Sequence, residues 1–435
     1  MKELIFIVFG LLLSSHSINA HNITDYSQRL ENTEAGEVLL KAAETGNLET
    51  IRALLKKGVS LEARDEKGNT ALHIAAEYKN EDILTELLSY GMEVDIENDL
   101  GESPLIVISA MGHTAMAKTL LKFGANPNLQ GYNGTPLSYA ISQKQHLMLQ
   151  LLLDSGANPH HAIHNNLTPL MVAVDNLNFK ATKILLSASV DINQLTTREG
   201  HSALSYAVKR NSYGMTKVLL ATREVKLNLR KKQGPTPLIL AIGAKDKRLA
   251  TTIIEAGADV NMTYKIGRTL KMTALMWAAT LGKLEVGKAL LREGAIVSSF
   301  TTYTSKEKAG WSAVHFAAYN KDLDFLKMLE ANKADLKALT RRSESILLLA
   351  SKKYAGPALV SYIVSRGIPV DTQDLNGNTA LMEKAKDGDL KSVILLLAKG
   401  ANPLLTDRTS KTAYYYAIRY GHYLVALEIK KHINP

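Results

Sequence analysis

The sequence predicts an all-α solenoid of about twelve helix-turn-helix units joined by short β-hairpin-like arms. One observation is a short phrase, Thr or Ser, then Pro or Ala, then an apolar residue, that recurs at intervals of 32 to 39 residues. The other is the pair of helical apolar patterns that follows each copy. A period of this length is typical of stacked helical pairs, in which each unit contacts only its neighbours. The copies begin at Thr70, Ser103, Thr135, Thr168, Ser202, Thr236, Thr273, Ser312, Ser345, Thr379 and Thr412.

Residues 67–98 illustrate the elements of one unit. A first helix is predicted after Thr70, whose hydroxyl can accept a hydrogen bond from a free backbone N–H of the first turn. A second helix follows the polar residues Lys79 and Asn80 and ends at Gly91, where a left-handed backbone favours glycine. An extended arm then leads to the next unit. The buried faces of the two helices are indicated by apolar residues at helical spacing: Leu72, Ala75, Ala76, Ile83, Leu84, Leu87 and Leu88.

A second phrase, Gly-Ala-Asp/Asn-x-Asn, closes several units and stands in full at 124–128 and 257–261. Together the two phrases resemble the ankyrin repeat from about Gly36 to His432, including a first copy at 37–39. The histidine of the family phrase occurs here as His73 and His315. The closing glycine is replaced in three units, around Ala188, Ala221 and Asn332. The resemblance implies a non-enzymatic protein-protein interaction scaffold, whose partner docks on a concave surface of inner helices and hairpin tips.

The N-terminus has a different composition from the repeats. Lys2 is followed by an apolar run at 4–13 and by small and polar residues at 14–20. Ten apolar residues are too few to span a bilayer but suit a signal peptide. We expect a signal peptide at 1–20, a polar leader at 21–35 and the repeat array at 36–435. Cleavage after Ser17 and a buried N-terminal capping helix are the alternatives.

This prediction places the mature protein in the periplasm or outside the cell, without a transmembrane span, as in exported bacterial ankyrin-repeat proteins that it resembles. The chain contains no cysteine, which is compatible with an oxidising compartment without establishing one.

The net charge of +10 is unevenly distributed. Residues 1–217 carry 18 basic and 23 acidic side chains, whereas residues 218–435 carry 34 and 19. A basic surface can attract an acidic protein, anionic lipid or nucleic acid. Ordinary solubilising charge is the alternative. The basic clusters are Arg230-Lys231-Lys232, Lys265/Arg268/Lys271, Lys306/Lys308, Arg341-Arg342 and Lys352-Lys353.

Two intervals, of 37 and 39 residues, exceed the usual period. The extra residues fall in the arms near 263–272 and 298–310, and insertions in repeat arrays often emerge on the binding face. Aromatic residues in or beside these arms suit binding anchors; a tolerated surface loop is the alternative. The predicted partner-binding residues are Arg230, Lys231, Lys232, Tyr264, Lys265, Arg268, Tyr303, Trp311, Arg341 and Arg342.

Catalytic and cofactor motifs are weak. Residues 282–289 match most of a phosphate-binding loop, but Ala289 replaces its Ser/Thr and the segment reads as the second helix of its unit. His160, His161 and His164, with His146 nearby, are spaced closely enough for one metal but lack a carboxylate or thiolate.

We therefore expect a monomeric scaffold with no enzymatic activity, no cofactor and no metal, which binds a protein and favours an acidic one. A basic surface for anionic lipid or nucleic acid is the alternative function.

Overall fold

The computed structural model describes residues 34–232, 234–266, 270–301, 308–352 and 356–433. The predicted signal peptide and nearly all of the predicted leader lie outside these residues. The chain divides into two compact units, each made of several repeats. We call Met1–Asp191 the first unit and Ile192–Pro435 the second unit, and we call each helix pair a repeat.

Twelve helix pairs follow one another in the described residues, which confirms the predicted repeat fold. The first helices of repeats 1 to 12 span 34–45, Ala71–Glu77, Pro104–Met111, Pro136–Ser142, Pro169–Asp175, Ala203–Lys209, Pro237–Gly243, Ala274–Thr280, Ala313–Tyr319, Ile346–Ser351, Ala380–Asp387 and Ala413–Arg419. The second helices span Leu48–Lys56, Glu81–Ser89, Thr114–Lys122, His146–Asp154, Phe179–Ser187, Tyr213–Leu220, Lys247–Glu255, Leu284–Arg292, Leu323–Ala331, Pro357–Ser365, Leu390–Ala398 and Tyr423–Ile433.

The recurring phrase starts the first helices by capping them. In repeat 5, the Thr168 hydroxyl accepts from the backbone N–H of Met171 at 3.2 Å, and proline occupies the next position. In repeat 2, Thr70 and His73 form a reciprocal capping box. A cap of this kind satisfies backbone donors that have no partner within the helix.

The second helices of repeats 1 to 11 are closed by a residue with a left-handed backbone, as the sequence predicts. Gly91 adopts φ 93° after the second helix of repeat 2. Where the closing glycine is replaced, other residues take this conformation: Ser189, Arg223 and Lys333 have φ of 54°, 58° and 61°. The helices therefore end in the same backbone conformation without glycine. A residue with a side chain adopts this conformation at a higher free energy than glycine does.

The phosphate-loop-like segment is part of the second helix Leu284–Arg292, as predicted. Its Gly287 serves helix packing, because an added Cβ would lie 2.7 Å from Cζ of the fully buried Phe325 in the next repeat. The absence of a side chain at Gly287 thus lets the Phe325 ring approach the helix closely.

Most arms are built from turns rather than strands. Among the described residues, strands occur in the first inserted arm, where Tyr264–Ile266 pairs antiparallel with Leu270–Met272. The second inserted arm is closed at its base, where Thr301 N–H donates to Trp311 O at 2.7 Å. None of the helices in the described residues is long and apolar enough to cross a bilayer.

Candidate partner-binding surface

The predicted basic residues of the first cluster lie on an arm of the second unit, and two of them donate to backbone carbonyls. The Arg230 guanidinium donates to the carbonyls of Gly234 and Thr263, so it links two successive arms. The Lys231 ammonium donates to the carbonyl of Thr197. Lys231 and Lys232 are nevertheless exposed.

The remaining predicted cations are also on arms. Lys265 is exposed on the first strand of the inserted arm, and Arg341 is exposed two arms further along the chain. Arg342 is half-buried, and its carbonyl accepts from Leu375 N–H at 2.9 Å. Arg268 and Tyr303 lie outside the described residues.

The predicted aromatic anchors Tyr264 and Trp311 are buried, with exposed fractions of 6% and 3%. Burial raises the pKa of the Tyr264 hydroxyl, and the ring packs edge-on against Trp277 at 6.0 Å. Trp311 packs against Phe316 at 5.1 Å between ring centroids. Both side chains lie at the bases of the inserted arms, and they are buried rather than exposed as anchors in this structure.

In each unit, a different set of residues lies on an exposed side of the first helices, which we call the first-helix face. Each lies seven positions after the start of the phrase, near the end of a first helix, and each is exposed or half-buried. In the first unit these residues are Glu77, Ala110, Ser142 and Asp175. In the second unit they are Lys209, Gly243, Thr280, Tyr319, Lys352, Lys386 and Arg419. The residues at this position are thus neutral or acidic in the first unit, whereas four of the seven are basic in the second unit, and a count along the repeat register would have found this signal.

Two lysines of the face pair with nearby carboxylates. Lys352 Nζ lies 2.5 Å from Oε1 of Glu344, which is buried at the end of an arm. Lys386 Nζ lies 2.8 Å from Glu383 Oε1 and 4.3 Å from the ring centroid of Tyr416 in the next repeat. These contacts tie first helices to arms and to each other, and they partly neutralise the two cations.

Two other cations of the face have no carboxylate within ion-pair distance among the described residues. Lys209 Nζ lies 5.8 Å from the Tyr206 ring centroid. The Arg419 guanidinium donates to the Tyr415 hydroxyl at 2.9 Å, and this hydrogen bond lowers the pKa of Tyr415. Both cations are exposed, so their charge is available to an anionic group of a partner.

The corresponding part of the first unit is polar. The Tyr139 hydroxyl donates to Glu102 Oε1 at 2.6 Å, and burial together with this hydrogen bond raises the pKa of Tyr139 to about 12. A groove beside Tyr139 is lined by Asn133 and Ile163 of two arms and by Asp175 of the next first helix. It offers hydrogen-bonding groups but no cation.

The clustered histidines are held separately. His161 Nε2 lies 3.0 Å from Gln130 Oε1, and His164 Nε2 lies 2.7 Å from the carbonyl oxygen of Tyr132. His146 Nε2 contacts Asn178 Oδ1 at 2.9 Å. Within the described ranges, no three His, Asp or Glu side chains come together to hold a metal ion.

A buried cation in repeat 11 was missed by sequence reasoning. Lys384 is fully buried, at the register position that Ala75 occupies in repeat 2, and its Nζ lies 3.6 Å from carboxylate oxygens of both Asp387 and Asp389. Burial raises the pKa of Asp387. The sequence contains the signal, a lysine where the pattern requires a small residue, but the two compensating carboxylates become evident only from the helix geometry.

Comparison with known proteins is consistent with the repeat fold. A family model described as ankyrin repeats, three copies, matches residues 7–98, 90–163, 144–231, 170–264, 240–340 and 347–434. The ankyrin repeat protein YahD of Escherichia coli is 30% identical over 166 residues, which are 37% of this chain and 80% of that protein.

Two animal proteins match smaller parts of themselves. Transient receptor potential cation channel subfamily A member 1 of Homo sapiens is 25% identical over 67% of this chain and 26% of its own length. Neurogenic locus notch homolog protein 1 of Mus musculus is 34% identical over 29% of this chain and 5% of its own length. The chain therefore corresponds to a minor part of both proteins.

Proposed function

Because the chain belongs to the ankyrin-repeat family, we propose that it is a non-enzymatic protein-protein interaction scaffold whose partner docks on the first-helix face and arms of residues 192–435. Ankyrin repeats imply a protein partner. The observation that carries the proposed location is the set of four cations at this position in the second unit, Lys209, Lys352, Lys386 and Arg419. The first unit has Glu77, Ala110, Ser142 and Asp175 at the same position.

The geometry supports an acidic partner. Lys209 and Arg419 are exposed and have no carboxylate within ion-pair distance among the described residues, so they can pair with a partner without first breaking an internal ion pair. Exposed charges of this kind mainly increase association rates and set the salt dependence of binding. Half-buried aromatic residues on the same side of the first helices, Trp277, Tyr319 and Tyr416, can add apolar contact area.

Charge reversal in the full-length chain tests this location. Lys209→Glu combined with Arg419→Glu should slow association with proteins captured by the unmodified chain and flatten the salt dependence. The matched control combines Lys217→Glu with Lys430→Glu, which changes the net charge equally on exposed residues of second helices. Equal losses for both pairs would show that net charge matters and not the first-helix face.

Binding assays with the unmodified chain distinguish the proposed function from the alternative function. If the basic surface binds anionic lipid or nucleic acid, the unmodified chain should bind anionic vesicles or unrelated nucleic acids with a steep salt dependence and without sequence preference. If the partner is a protein, a small set of proteins should instead remain bound to the chain at physiological salt.

We also propose that the protein is exported, with residues 1–20 as a signal peptide and the mature chain in the periplasm or outside the cell. Support for this comes from the sequence pattern at 1–20.

A further inference from the structure

Three aromatic rings of repeat 9 surround the ammonium group of Lys308. Its Nζ lies 5.6 Å from the ring centroid of Trp311, 5.8 Å from that of Phe316 and 5.7 Å from that of Tyr319. A cation within about 6 Å of a ring centroid is attracted by the negative face of the ring. The three rings therefore form one cation-binding site beside the first-helix face.

The base of the second inserted arm fixes the position of Lys308. The hydroxyl of Thr301, which is buried, donates to the carbonyl of Lys308 at 2.6 Å and accepts from the N–H of Trp311 at 2.9 Å. One side chain thus connects the residue that supplies the cation to the residue that supplies the largest ring. The residues that form the site, Lys308, Trp311, Phe316 and Tyr319, all lie in the described part of the chain.

The three rings attract the positive charge of Lys308 but leave the hydrogen-bonding needs of its ammonium group unmet. No described residue places a carboxylate within ion-pair distance of its Nζ, whereas Lys352 and Lys386 have carboxylate oxygens at 2.5 Å and 2.8 Å. A primary ammonium is strongly hydrated, and aromatic rings do not replace its hydrogen bonds. A quaternary ammonium has no N–H groups to satisfy, and groups of aromatic side chains are suited to bind it.

A second observation concerns the indole of Trp311. Its Nε1 is buried, and no hydrogen-bond acceptor lies within reach among the described residues. A buried donor without an acceptor is energetically unfavourable, because it has lost its hydrogen bond to water without gaining another. An oxygen atom on a bound ligand could accept this hydrogen bond, which favours a ligand that carries an oxygen close to its cationic group.

We propose that Trp311, Phe316 and Tyr319 form a binding site for a small trimethylammonium compound that bears an oxygen acceptor, and that Lys308 occupies this site until the ligand displaces it. The site shares Tyr319 with the first-helix face, but it goes beyond the proposed protein-binding function because its ligand is a small cation and not a protein. Choline carries both groups and is the probe of choice.

The fluorescence of Trp311 provides the readout. The chain has two tryptophans, so Trp277→Phe leaves Trp311 as the single indole reporter. In that background we expect choline to change the emission saturably. Lys308→Met, which keeps an apolar stem and removes the competing charge, should tighten binding by about tenfold. Tyr319→Leu, at a half-buried position, should weaken it in either background.

The control ligand is 3,3-dimethyl-1-butanol, which has the shape of choline without its charge. If it binds as tightly as choline, the site is an apolar cavity and the proposal is wrong. Failure of Lys308→Met to tighten choline binding, in a protein whose circular dichroism is unchanged, also contradicts it.

Lys308→Gln serves as the second variant if the Met variant does not fold. A measurement without ligand completes the test: the shifts in Tm caused by Lys308→Met and Tyr319→Leu should be non-additive, and additivity would show that the rings do not hold the cation.

Discussion

Leu87→Ala tests whether each repeat is stabilised mainly by its neighbours. Leu87 lies in the second helix Glu81–Ser89 and is fully buried. Truncation to alanine removes three carbon atoms, which at about 0.8 kcal/mol each corresponds to roughly 2.4 kcal/mol of lost burial. Since the surrounding helices can collapse only partly, the cavity raises the expected total to about 2–5 kcal/mol.

The positions of the tryptophans allow this loss to be localised. Trp277 and Trp311 both lie in residues 192–435, so their fluorescence follows the unfolding of that unit, whereas circular dichroism follows all helices. In urea, Leu87→Ala should move part of the circular dichroism transition to lower denaturant and leave the fluorescence midpoint unchanged, because repeats interact with nearest neighbours.

Leu147→Ala is the matched control. Leu147 lies in the second helix His146–Asp154 of the same unit and is 77% exposed, so its truncation should cost less than about 0.5 kcal/mol. If Leu87→Ala shifted circular dichroism and fluorescence together by the same amount, the chain would unfold as one cooperative unit and the nearest-neighbour reasoning would be wrong.

Three further predictions concern export, pH and packing. Phe9→Arg places a charge within the apolar run at 4–13 and should block signal-peptide processing, as judged by the mass of the protein in each compartment; an unprocessed, cytoplasmic natural chain would contradict the export proposal. Burial lowers the pKa of His315 to about 4, so the unfolded chain binds the proton first and stability should fall by up to about 3 kcal/mol as the pH decreases from about 6.5 to 4. In urea unfolding followed by tryptophan fluorescence, the free energy of unfolding of His315→Gln should depend less on pH than that of the natural chain. If its pH dependence is unchanged, the titration of His315 is not the cause. Gly287→Ala should lower Tm because its Cβ meets Phe325, whereas Gly243→Ala, whose Cβ would have no atom closer than 3.9 Å, should not.

The fold could be predicted from the sequence because each repeat is determined locally. Thr168 caps its helix and Gly91 ends another through contacts within a few residues, and the recurring phrase repeats these signals along the chain. A capping hydroxyl or a left-handed glycine depends on backbone geometry that neighbouring residues fix. The helix pairs therefore follow from the pattern, including the second helix that contains Gly287.

The candidate site could be predicted only in part. The basic character of the C-terminal half follows from counting charged residues. The burial of Trp311 and its hydrogen bond to Thr301 are tertiary contacts that composition does not indicate. Likewise, the pairing of Lys352 with buried Glu344 depends on how an arm returns to its helix. Which charges remain available is set by tertiary contacts, so Lys209 and Arg419 emerge only once those contacts are known.

Site-specific photocrosslinking tests the location of the partner surface most directly. A benzoylphenylalanine would be introduced singly into the full-length chain at exposed positions of both helix types. The first-helix positions are Lys209, Gly243 and Arg419. The second-helix positions, in comparable repeats, are Lys217, Lys288 and Lys431.

We expect the same protein to be crosslinked from all three first-helix positions and from none of the second-helix positions. Crosslinks to a common protein from the second-helix positions alone, or to lipid or nucleic acid from the first-helix positions, would contradict it.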